Sequence, residues 1–226
     1  MPFISPDDGY MTLFNLFDTE DREKQNLVLE AMRDIVDNAD YPGWISSTVH
    51  AGQDTPGTAN YIQWRSAEDL KARYQGEKFR TKTVPEFHRL ATTVQLIQTE
   101  SVFAQRHPSL GDAAEISTER DDYTVIFVLR CEPENQKALV DAIAKPDEWL
   151  LTVPGYRSHA YFRALDGTAV VNYAQWDDKQ SYDAFHTLPD EQRPLDVQKG
   201  RVRARSLATS RWANTFRVWH SRSAAS

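Results

Sequence analysis

The chain has 226 residues, a formal net charge of −7 and a pI near 5.4, a balance that argues against a dedicated nucleic-acid-binding protein. Hydrophobic residues make up 40% of the chain, which predicts a globular protein, and the single cysteine, Cys131, excludes an internal disulfide or a cysteine-rich metal site. The first residues lack a signal-peptide pattern and no apolar run approaches the ~20 residues of a membrane span, so we expect a cytoplasmic protein.

The first half of the chain predicts the order β-α-β-β-α-β. Apolar residues at helical spacing follow an apolar strand, and Asp18-Thr19 is the expected cap of that helix. Two β-rich runs then flank a stretch of turn residues, as in a hairpin, and Ser66 followed by acids begins a second helix. The predicted elements are strand 11–17, helix 27–36, strands 44–49 and 58–64, helix 66–91 and strand 94–103.

The second half predicts the same order. Its first helix is shorter and stops near Pro146, and residues 188–200 contain an insertion relative to the first half. The predicted elements are strand 123–131, helix 139–143, strands 156–163 and 168–176, helix 177–186 and strand 209–219.

The two halves also share residues in a constant register. Asn60-Tyr61, Gln63 and Trp64 recur as Asn172-Tyr173, Gln175 and Trp176, and Pro42-Gly43 recurs as Pro154-Gly155. A register held over so many positions indicates a duplicated domain. We therefore expect repeat one at residues 1–104, a linker at 105–121 and repeat two at 122–226.

The order β-α-β-β-α-β is that of the ferredoxin-like unit, an α+β fold with helices on one face of an antiparallel sheet. The bare face of each sheet needs a partner, and the second copy in the same chain supplies one. The predicted architecture is therefore two tandem ferredoxin-like repeats that form a fused dimeric α/β barrel. A homodimer of the whole chain is compatible with this arrangement.

Familiar catalytic and cofactor motifs are missing from the sequence. None of the six histidines is followed two positions later by an acid, and the chain contains no H-E-x-x-H, G-x-G-x-x-G, P-loop or G-x-S-x-G pattern. No metal site is predicted. The arginine-rich segment after residue 200 is interpreted as a solvated surface, with an anion-binding patch as the alternative.

The duplicated strand is the strongest candidate for a site. Strand alternation places Asn60, Ile62 and Trp64 on one face, and Asn172, Ala174 and Trp176 on the equivalent face. An asparagine among apolar residues requires hydrogen-bond partners if it is buried. From the residues alone, the Asn/Trp pair is either structural or part of a site.

At this strand the sequence resembles the antibiotic biosynthesis monooxygenase family. The resemblance rests on Tyr41-Pro42-Gly43-Trp44, on residues 58–64 and on residues 77–80, and it extends over both repeats. It implies a small ferredoxin-like protein, usually a dimeric barrel, that oxidises aromatic polyketides without a metal or a tightly bound cofactor. The fold also serves other tasks, so the resemblance identifies the fold better than the reaction.

The resemblance also implies pocket residues. In quinone-forming members an asparagine, a tryptophan four residues on and a tyrosine six beyond line the pocket, a set matched by Asn172, Trp176 and Tyr182. Repeat one has Asn60 and Trp64, but Leu70 replaces the tyrosine, and Tyr74 lies one helical turn further on. Arg80 and Arg193 are the nearest matches to the family's helical arginine.

From this combination we expect two groups of site residues. The expected catalytic residues are Asn60, Trp64, His50, Asn172, Trp176 and Tyr182. The expected substrate-binding residues are Tyr61, Tyr74, Arg80, Phe87, His88, Tyr173, His186 and Arg193, with tyrosine and tryptophan rings as flat walls. Repeat one is favoured as the main pocket because it lacks the insertion of repeat two.

The predicted function is an oxygenase that tailors an angucycline-type polyketide, by C–C ring cleavage or by hydroxylation to a quinone. The tandem layout resembles ring-opening oxygenases thought to use reduced flavin, so FADH2 or FMNH2 from a flavin reductase is an expected co-substrate beside O2. A haem-degrading relative is disfavoured, because Arg73 and Thr83 stand at its functional positions. The alternatives are a non-catalytic small-molecule binding protein and a polyketide cyclase or isomerase.

Overall fold

The structure is a computed structural model that describes residues 2–77, 79–111 and 114–224. It contains ten strands and six α-helices in these segments. In chain order they are β1 (Phe3–Ile4), β2 (Met11–Asp18), α1 (Arg22–Asp37), β3 (Trp44–Gly52), β4 (Gly57–Trp64), α2 (Ala67–Tyr74), α3 (Val84–Leu90), β5 (Thr93–Arg106), β6 (Ala114–Glu115), β7 (Tyr123–Cys131), α4 (Gln136–Ile143), β8 (Tyr156–Ala164), β9 (Ala169–Trp176), α5 (Lys179–His186), α6 (Leu195–Leu207) and β10 (Ala208–Ser223).

Eight strands form one closed barrel in the order β10-β3-β4-β2-β5-β8-β9-β7. Each half of the chain contributes four neighbouring strands in the ferredoxin-like arrangement. The halves join at two antiparallel seams, β5 with β8 and β10 with β3, so no sheet edge remains open in the barrel. The predicted tandem ferredoxin-like fold and fused barrel are confirmed.

The barrel interior is the main hydrophobic core. Because side chains alternate along a strand, Ala59 and Tyr61 of β4 point inward while Asn60 and Trp64 point outward, beneath the helices. The inward-facing aromatic residues pack edge to face, with 5.0 Å between the ring centroids of Phe14 and Phe162. The outer face of each sheet is therefore the surface that the helices cover.

The helices of repeat one begin at clear caps. Ser66 caps α2 by accepting a hydrogen bond from the Asp69 backbone N–H, as predicted. The cap of α1 is Asp21, which accepts from the Lys24 N–H, so the expected cap at Asp18-Thr19 is wrong: the β2 strand runs through Asp18 before the chain turns. Five residues of π-helix, Phe79–Thr83, then lead into α3.

Repeat two covers its sheet differently. Helix α4 has 8 residues, against 16 in the corresponding α1. The predicted insertion leads into α6, which packs against α4 at Gly200, where a Cβ would lie 2.7 Å from the Ala142 carbonyl oxygen. A glycine at this position allows the close approach of the two helices.

The described segments hold neither a candidate membrane span nor a candidate metal-binding cluster. None of the helices there is long and apolar enough to cross a membrane. Likewise, within residues 2–77, 79–111 and 114–224, no group of three or more His, Cys, Asp or Glu side chains is placed to hold a metal ion.

Candidate active site

The helices of repeat one and the outer face of its sheet line a pocket that is partly open to solvent, with a cavity volume of about 110 Å³. Strands β2 and β4 form the floor, and α1, α2, the π-helical turn and α3 form the walls. Most of the lining is apolar; examples are Leu13, Met32, Trp44, Ile62 and Phe79. Apolar walls with a few polar groups suit a flat organic molecule.

Asn60 and Trp64 both line this pocket, from the outward face of β4. Their side chains are almost fully buried, and neither Asn60 Oδ1 nor Trp64 Nε1–H has a hydrogen-bond partner among the described residues. The ring of Tyr41 stacks over Trp64 with 6.3 Å between centroids. Buried polar atoms are nearly always paired in native proteins, so two unpaired ones in a pocket call for an explanation.

Tyr74 is a third residue of this kind. Its hydroxyl is buried and has no hydrogen-bond partner in the described part of the chain, and burial raises its pKa to about 12. Leu70, at the place where the family tyrosine is expected, also lines the pocket and is 1% exposed. Tyr74 therefore brings a protonated phenol to a wall in which Leu70 supplies only apolar surface.

Asn15 lines the pocket but was not among the predicted site residues. It lies on β2 directly opposite Asn60, and its Oδ1 is also buried without a partner among the described residues. The signal in the sequence was an asparagine inside the apolar run of residues 11–17, between Leu13 and Phe17 on the same strand face.

Arg73 is a second pocket residue that the site prediction missed. Its guanidinium carbon lies 4.3 Å from the ring centroid of Tyr41 and 4.6 Å from that of Phe79. Burial lowers its pKa, which remains far above neutrality for an arginine. Aromatic faces hold this cation, and it forms no ion pair within the described segments. It is therefore available to an anionic ligand.

Arg80, the predicted helical arginine, is exposed and is not part of the pocket lining. Helix α2 ends at Tyr74, and the chain resumes as a π-helix at Phe79, which changes the helical register. Phe79 faces the pocket as a result, and Arg80 faces solvent.

Phe87 and His88 of α3 line the pocket as expected. Phe87 packs against Phe17 with 5.0 Å between ring centroids. His88 and Leu96 both line the pocket and are both exposed, Leu96 to 50%. The pocket is therefore open to water at these residues.

Three predicted site residues lie elsewhere, inside the barrel. Tyr61 follows Asn60 on β4 and Tyr173 follows Asn172 on β9, and successive side chains of a strand point to opposite faces. The two tyrosines therefore point into the barrel, and the expectation that they form pocket walls is wrong. His50 is also fully buried in the interior, where its Nε2 lies 2.8 Å from the Tyr173 hydroxyl. Burial lowers the pKa of His50 to about 4.

In repeat two the predicted residues pack on one another. Trp176 lies 4.8 Å from Phe185 and 5.9 Å from Tyr182, measured between ring centroids. Asn172 donates a hydrogen bond from Nδ2 to the Ala160 carbonyl at 3.3 Å. The residue opposite Asn172 is Phe127, where repeat one has Asn15 opposite Asn60.

His186 and Arg193 also take structural positions. Arg193 is buried, donates to the carbonyls of Phe185 and Leu188, and lies 4.6 Å from the Phe185 ring. His186 is exposed and stacks on Tyr182 at 5.4 Å. Arg193 thus connects the segment after α5 to the C-terminal end of that helix through hydrogen bonds.

Known proteins show the family to which this chain is similar. The model of the antibiotic biosynthesis monooxygenase family matches residues 122–193. Tetracenomycin-F1 monooxygenase of Streptomyces glaucescens is 36% identical over 95 residues, which cover 42% of this chain and 85% of that protein.

Solved structures extend the comparison to the whole chain. A crystal structure described as an anthrone oxidase-like protein is 40% identical, covers 100% of this chain and 98% of its own, and superposes with a TM-score of 0.93. A chlorite dismutase variant from Candidatus Nitrospira defluvii shares the fold alone, with 11% identity, a TM-score of 0.53 and coverage of 93% and 92%. The chain belongs to the antibiotic biosynthesis monooxygenase family.

Proposed function

We propose that this protein is an oxygenase that tailors an aromatic polyketide in antibiotic biosynthesis, and that the repeat-one pocket is its active site. The family and the relatives named monooxygenase and anthrone oxidase-like support a metal-independent monooxygenase. The observation that carries the assignment to repeat one is the pocket itself. Asn60, Trp64 and Tyr74 present unpartnered polar atoms to an apolar space beside the Arg73 cation.

The proposed reaction uses the substrate as the reductant of O2. Loss of a proton from an activated ring CH2 or phenol gives an electron-rich anion, which transfers one electron to O2, and the resulting radical pair combines in a C–O bond. Loss of water from the hydroperoxide then leaves a carbonyl, so that CH2 and O2 become C=O and H2O. The protein must bind the anion, favour its formation and keep bulk water from the intermediate.

The pocket residues fit these tasks. Arg73 places positive charge beside the anion and thereby lowers the pKa of a bound phenol or anthrone. Trp64 Nε1–H and the Tyr74 hydroxyl are donors for a developing oxyanion or peroxide, and the raised pKa of Tyr74 keeps it protonated. His88, at the open side, is the nearest imidazole to receive the substrate proton.

Oxidative ring opening of an angucycline-type substrate is the second form of this proposal. In that case reduced flavin, supplied by a flavin reductase, brings the extra electrons as a soluble co-substrate. The repeat-one pocket would hold the polyketide, with the partly buried Arg73 as its cation. The tandem architecture supports the ring-opening form. The identity of the product distinguishes ring opening from quinone formation.

Oxygen uptake with a polycyclic phenolic substrate tests the function. We would use an anthrone and a dehydrorabelomycin-type angucyclinone, each with and without FADH2 or FMNH2, and identify products by mass. Uptake without flavin and a quinone product support the first form, whereas uptake only with flavin and a ring-opened product support the second. Substrate conversion without oxygen uptake would instead indicate a cyclase, and binding without conversion a binding protein.

A pair of matched variants tests the assignment to repeat one. Asn60→Ala removes an amide that faces the pocket and should lower turnover by roughly 10-fold or more, the lower end of the effect of losing a polar contact to the reacting group. Asn172→Ala, at the equivalent position of repeat two, should leave turnover within about 2-fold of the wild type because its amide donates to the Ala160 carbonyl. The reverse pattern would move the active site to repeat two.

A further inference from the structure

A second cavity lies at the β5–β8 seam, where repeat one meets repeat two. Its volume is about 230 Å³, far more than the ~10–15 Å³ that one water needs, and it shares none of its lining residues with the repeat-one pocket. The segment before β2, the start of β2, the start of α2, strand β5 and the β8–β9 turn surround it. The lining residues that matter here are Asp8, Met11, Ala67, Glu100, Ser101 and Leu165.

The other seam, between β10 and β3, is bridged by an ammonium group. Lys179, at the start of α5 in repeat two, places its Nζ 2.9 Å from Oδ2 of Asp54 in the β3–β4 turn of repeat one. Tyr123 donates to the same carboxylate oxygen at 2.6 Å. A lysine and a tyrosine of repeat two thus hold a carboxylate of repeat one at this seam.

The β5–β8 seam lacks these groups. The register of 112 residues between the repeats carries the lysine to Ala67 and the tyrosine to Met11, two cavity-lining side chains that cannot donate a hydrogen bond. The same register carries the aspartate to Asp166, which accepts from Thr168 within its own turn. The space beside the start of α2 is therefore open at this seam, whereas an ammonium occupies the equivalent place at the other.

The open cavity keeps acceptors that are short of donors. The partly buried Asp8 carboxylate accepts from the Tyr10 backbone N–H at 2.8 Å and from Gln63 Nε2 at 3.3 Å. Burial raises the pKa of Asp8, because it removes water from the charged form. Ser101 Oγ is buried and has no hydrogen-bond partner among the described residues. Both groups are placed to receive a hydrogen bond from a ligand.

The other charged side chains of the cavity are already paired. Arg65 forms two hydrogen bonds with Asp69, at 2.7 and 2.9 Å, and Glu100 pairs with Arg163 across the seam. Of the charged side chains that line the cavity in the described segments, Asp8 alone has no ion-pair partner. Its negative charge selects a cation, and the apolar part of the lining suits a short hydrocarbon tail.

We propose that the β5–β8 seam is a binding site for a small organic ammonium ion. The ammonium head donates to the Asp8 carboxylate and to the Ser101 hydroxyl, and the hydrocarbon tail lies against Met11 and Leu165. The ion takes at this seam the place that the Lys179 ammonium holds at the other. This site goes beyond the proposed function, because none of its residues belongs to the repeat-one pocket.

Titration with n-butylammonium chloride tests the site, with n-butanol as a neutral control of the same length. Binding is followed by the broadening of the ligand's NMR signals in the wild type, Asp8→Asn, Ala67→Lys and Asp54→Asn. The wild type should bind the ammonium about 10-fold or more tightly than the alcohol. Asp8→Asn keeps an acceptor for the Tyr10 N–H but loses the charge, so the affinity for the ammonium should fall by about 10-fold.

The two remaining variants locate the bound ion. Ala67→Lys supplies the missing ammonium from the protein itself and should abolish binding. Asp54→Asn breaks the ion pair of the other seam and should bind as the wild type does. Unchanged binding in Ala67→Lys would place the ion outside the cavity and overturn the proposal, even if Asp8→Asn weakens it.

Two further results would also overturn it. One is equal affinity of the wild type for the ammonium and the alcohol, or no binding of either at millimolar concentrations. The other is unchanged affinity in Asp8→Asn, which would remove the carboxylate from the site. Oxygen uptake plays no part in these measurements, so a failure of the site leaves the proposed function in place.

Discussion

His50 and Tyr173, one from each repeat, share a hydrogen bond of 2.8 Å inside the barrel. His50 comes from β3 and Tyr173 from β9, strands that are not neighbours in the barrel wall. The bond crosses the interior and joins the two halves of the chain. His50 and Tyr173 therefore belong to the structural core inside the barrel, whereas the pocket lies outside it.

Removal of this bond should destabilise the protein without affecting the pocket. Tyr173→Phe leaves the His50 ring without its partner, so we expect the free energy of unfolding to fall by about 1–3 kcal/mol. Ligand binding in the repeat-one pocket should be unchanged in the same variant. Urea unfolding and a ligand titration measure the two quantities, and a selective loss of binding at unchanged stability would contradict this placement.

Acid should weaken the fold through its two buried histidines. Burial lowers the pKa of His50 and of His159 to about 4, from 6.5 in the unfolded chain, so the unfolded chain binds two more protons between these values. Their contribution to stability is present above pH 6.5 and is lost as the pH falls toward 4. The loss is about 1.4 kcal/mol per pH unit for each histidine.

Urea unfolding from about pH 7 down to about pH 5 checks this pH dependence. The double variant His50→Gln with His159→Gln should show a shallower decline than the wild type. His186→Gln, which changes an exposed ring, serves as the control and should keep the wild-type slope. Equal slopes for all three proteins would show that these two rings do not cause the acid sensitivity.

Arg73 should set the acidic limb of the pH–rate profile. Its charge favours the ionised substrate, so Arg73→Gln raises the pKa of the bound substrate and moves that limb to higher pH by about 1 unit or more. Arg80→Gln removes an equal charge from the exposed neighbour and should leave the limb in place. The pH dependence of kcat measures the shift, and identical profiles for both variants would remove Arg73 from the mechanism.

Trp64 should contribute its N–H group to turnover beyond its bulk. Trp64→Phe keeps a flat apolar wall but removes the unpartnered Nε1–H, so we expect kcat to fall by roughly 10-fold with a smaller change in KM. Trp176→Phe is the matched change in repeat two, where the ring only packs against neighbours, and should lower stability rather than kcat. A larger effect on kcat at Trp176 would reverse the assignment of the active repeat.

Several features of the protein followed from its sequence. The constant register of Asn60 and Trp64 with Asn172 and Trp176 revealed the duplication, and the order of apolar runs indicated the ferredoxin-like unit. Alternation along β4 placed Asn60 and Trp64 on a common face, as the structure has them. These features are local, because each depends on spacing within one strand or helix or on identity between the two halves.

Other features were decided by tertiary packing. Alternation places Tyr61 and Tyr173 on the strand faces opposite to Asn60 and Asn172, so one pocket could not hold both sets. Only packing decided which face the barrel encloses, and the two tyrosines and His50 lie in the interior. Whether a repeat keeps an open pocket depends on how far its helices stand from the sheet. In repeat two α4 is short, and Trp176 packs against Phe185 of α5.

The sequence by itself determined the duplicated α+β architecture and the polar residues that its strands carry. Only the tertiary structure brought Asn15 beside Asn60 and Arg73 beside Tyr41, because these contacts join elements that are distant along the chain. Spacing in the sequence fixes the direction of a side chain relative to its own strand or helix. The packing of other elements against that side chain then determines whether it is buried in a core or faces an open pocket.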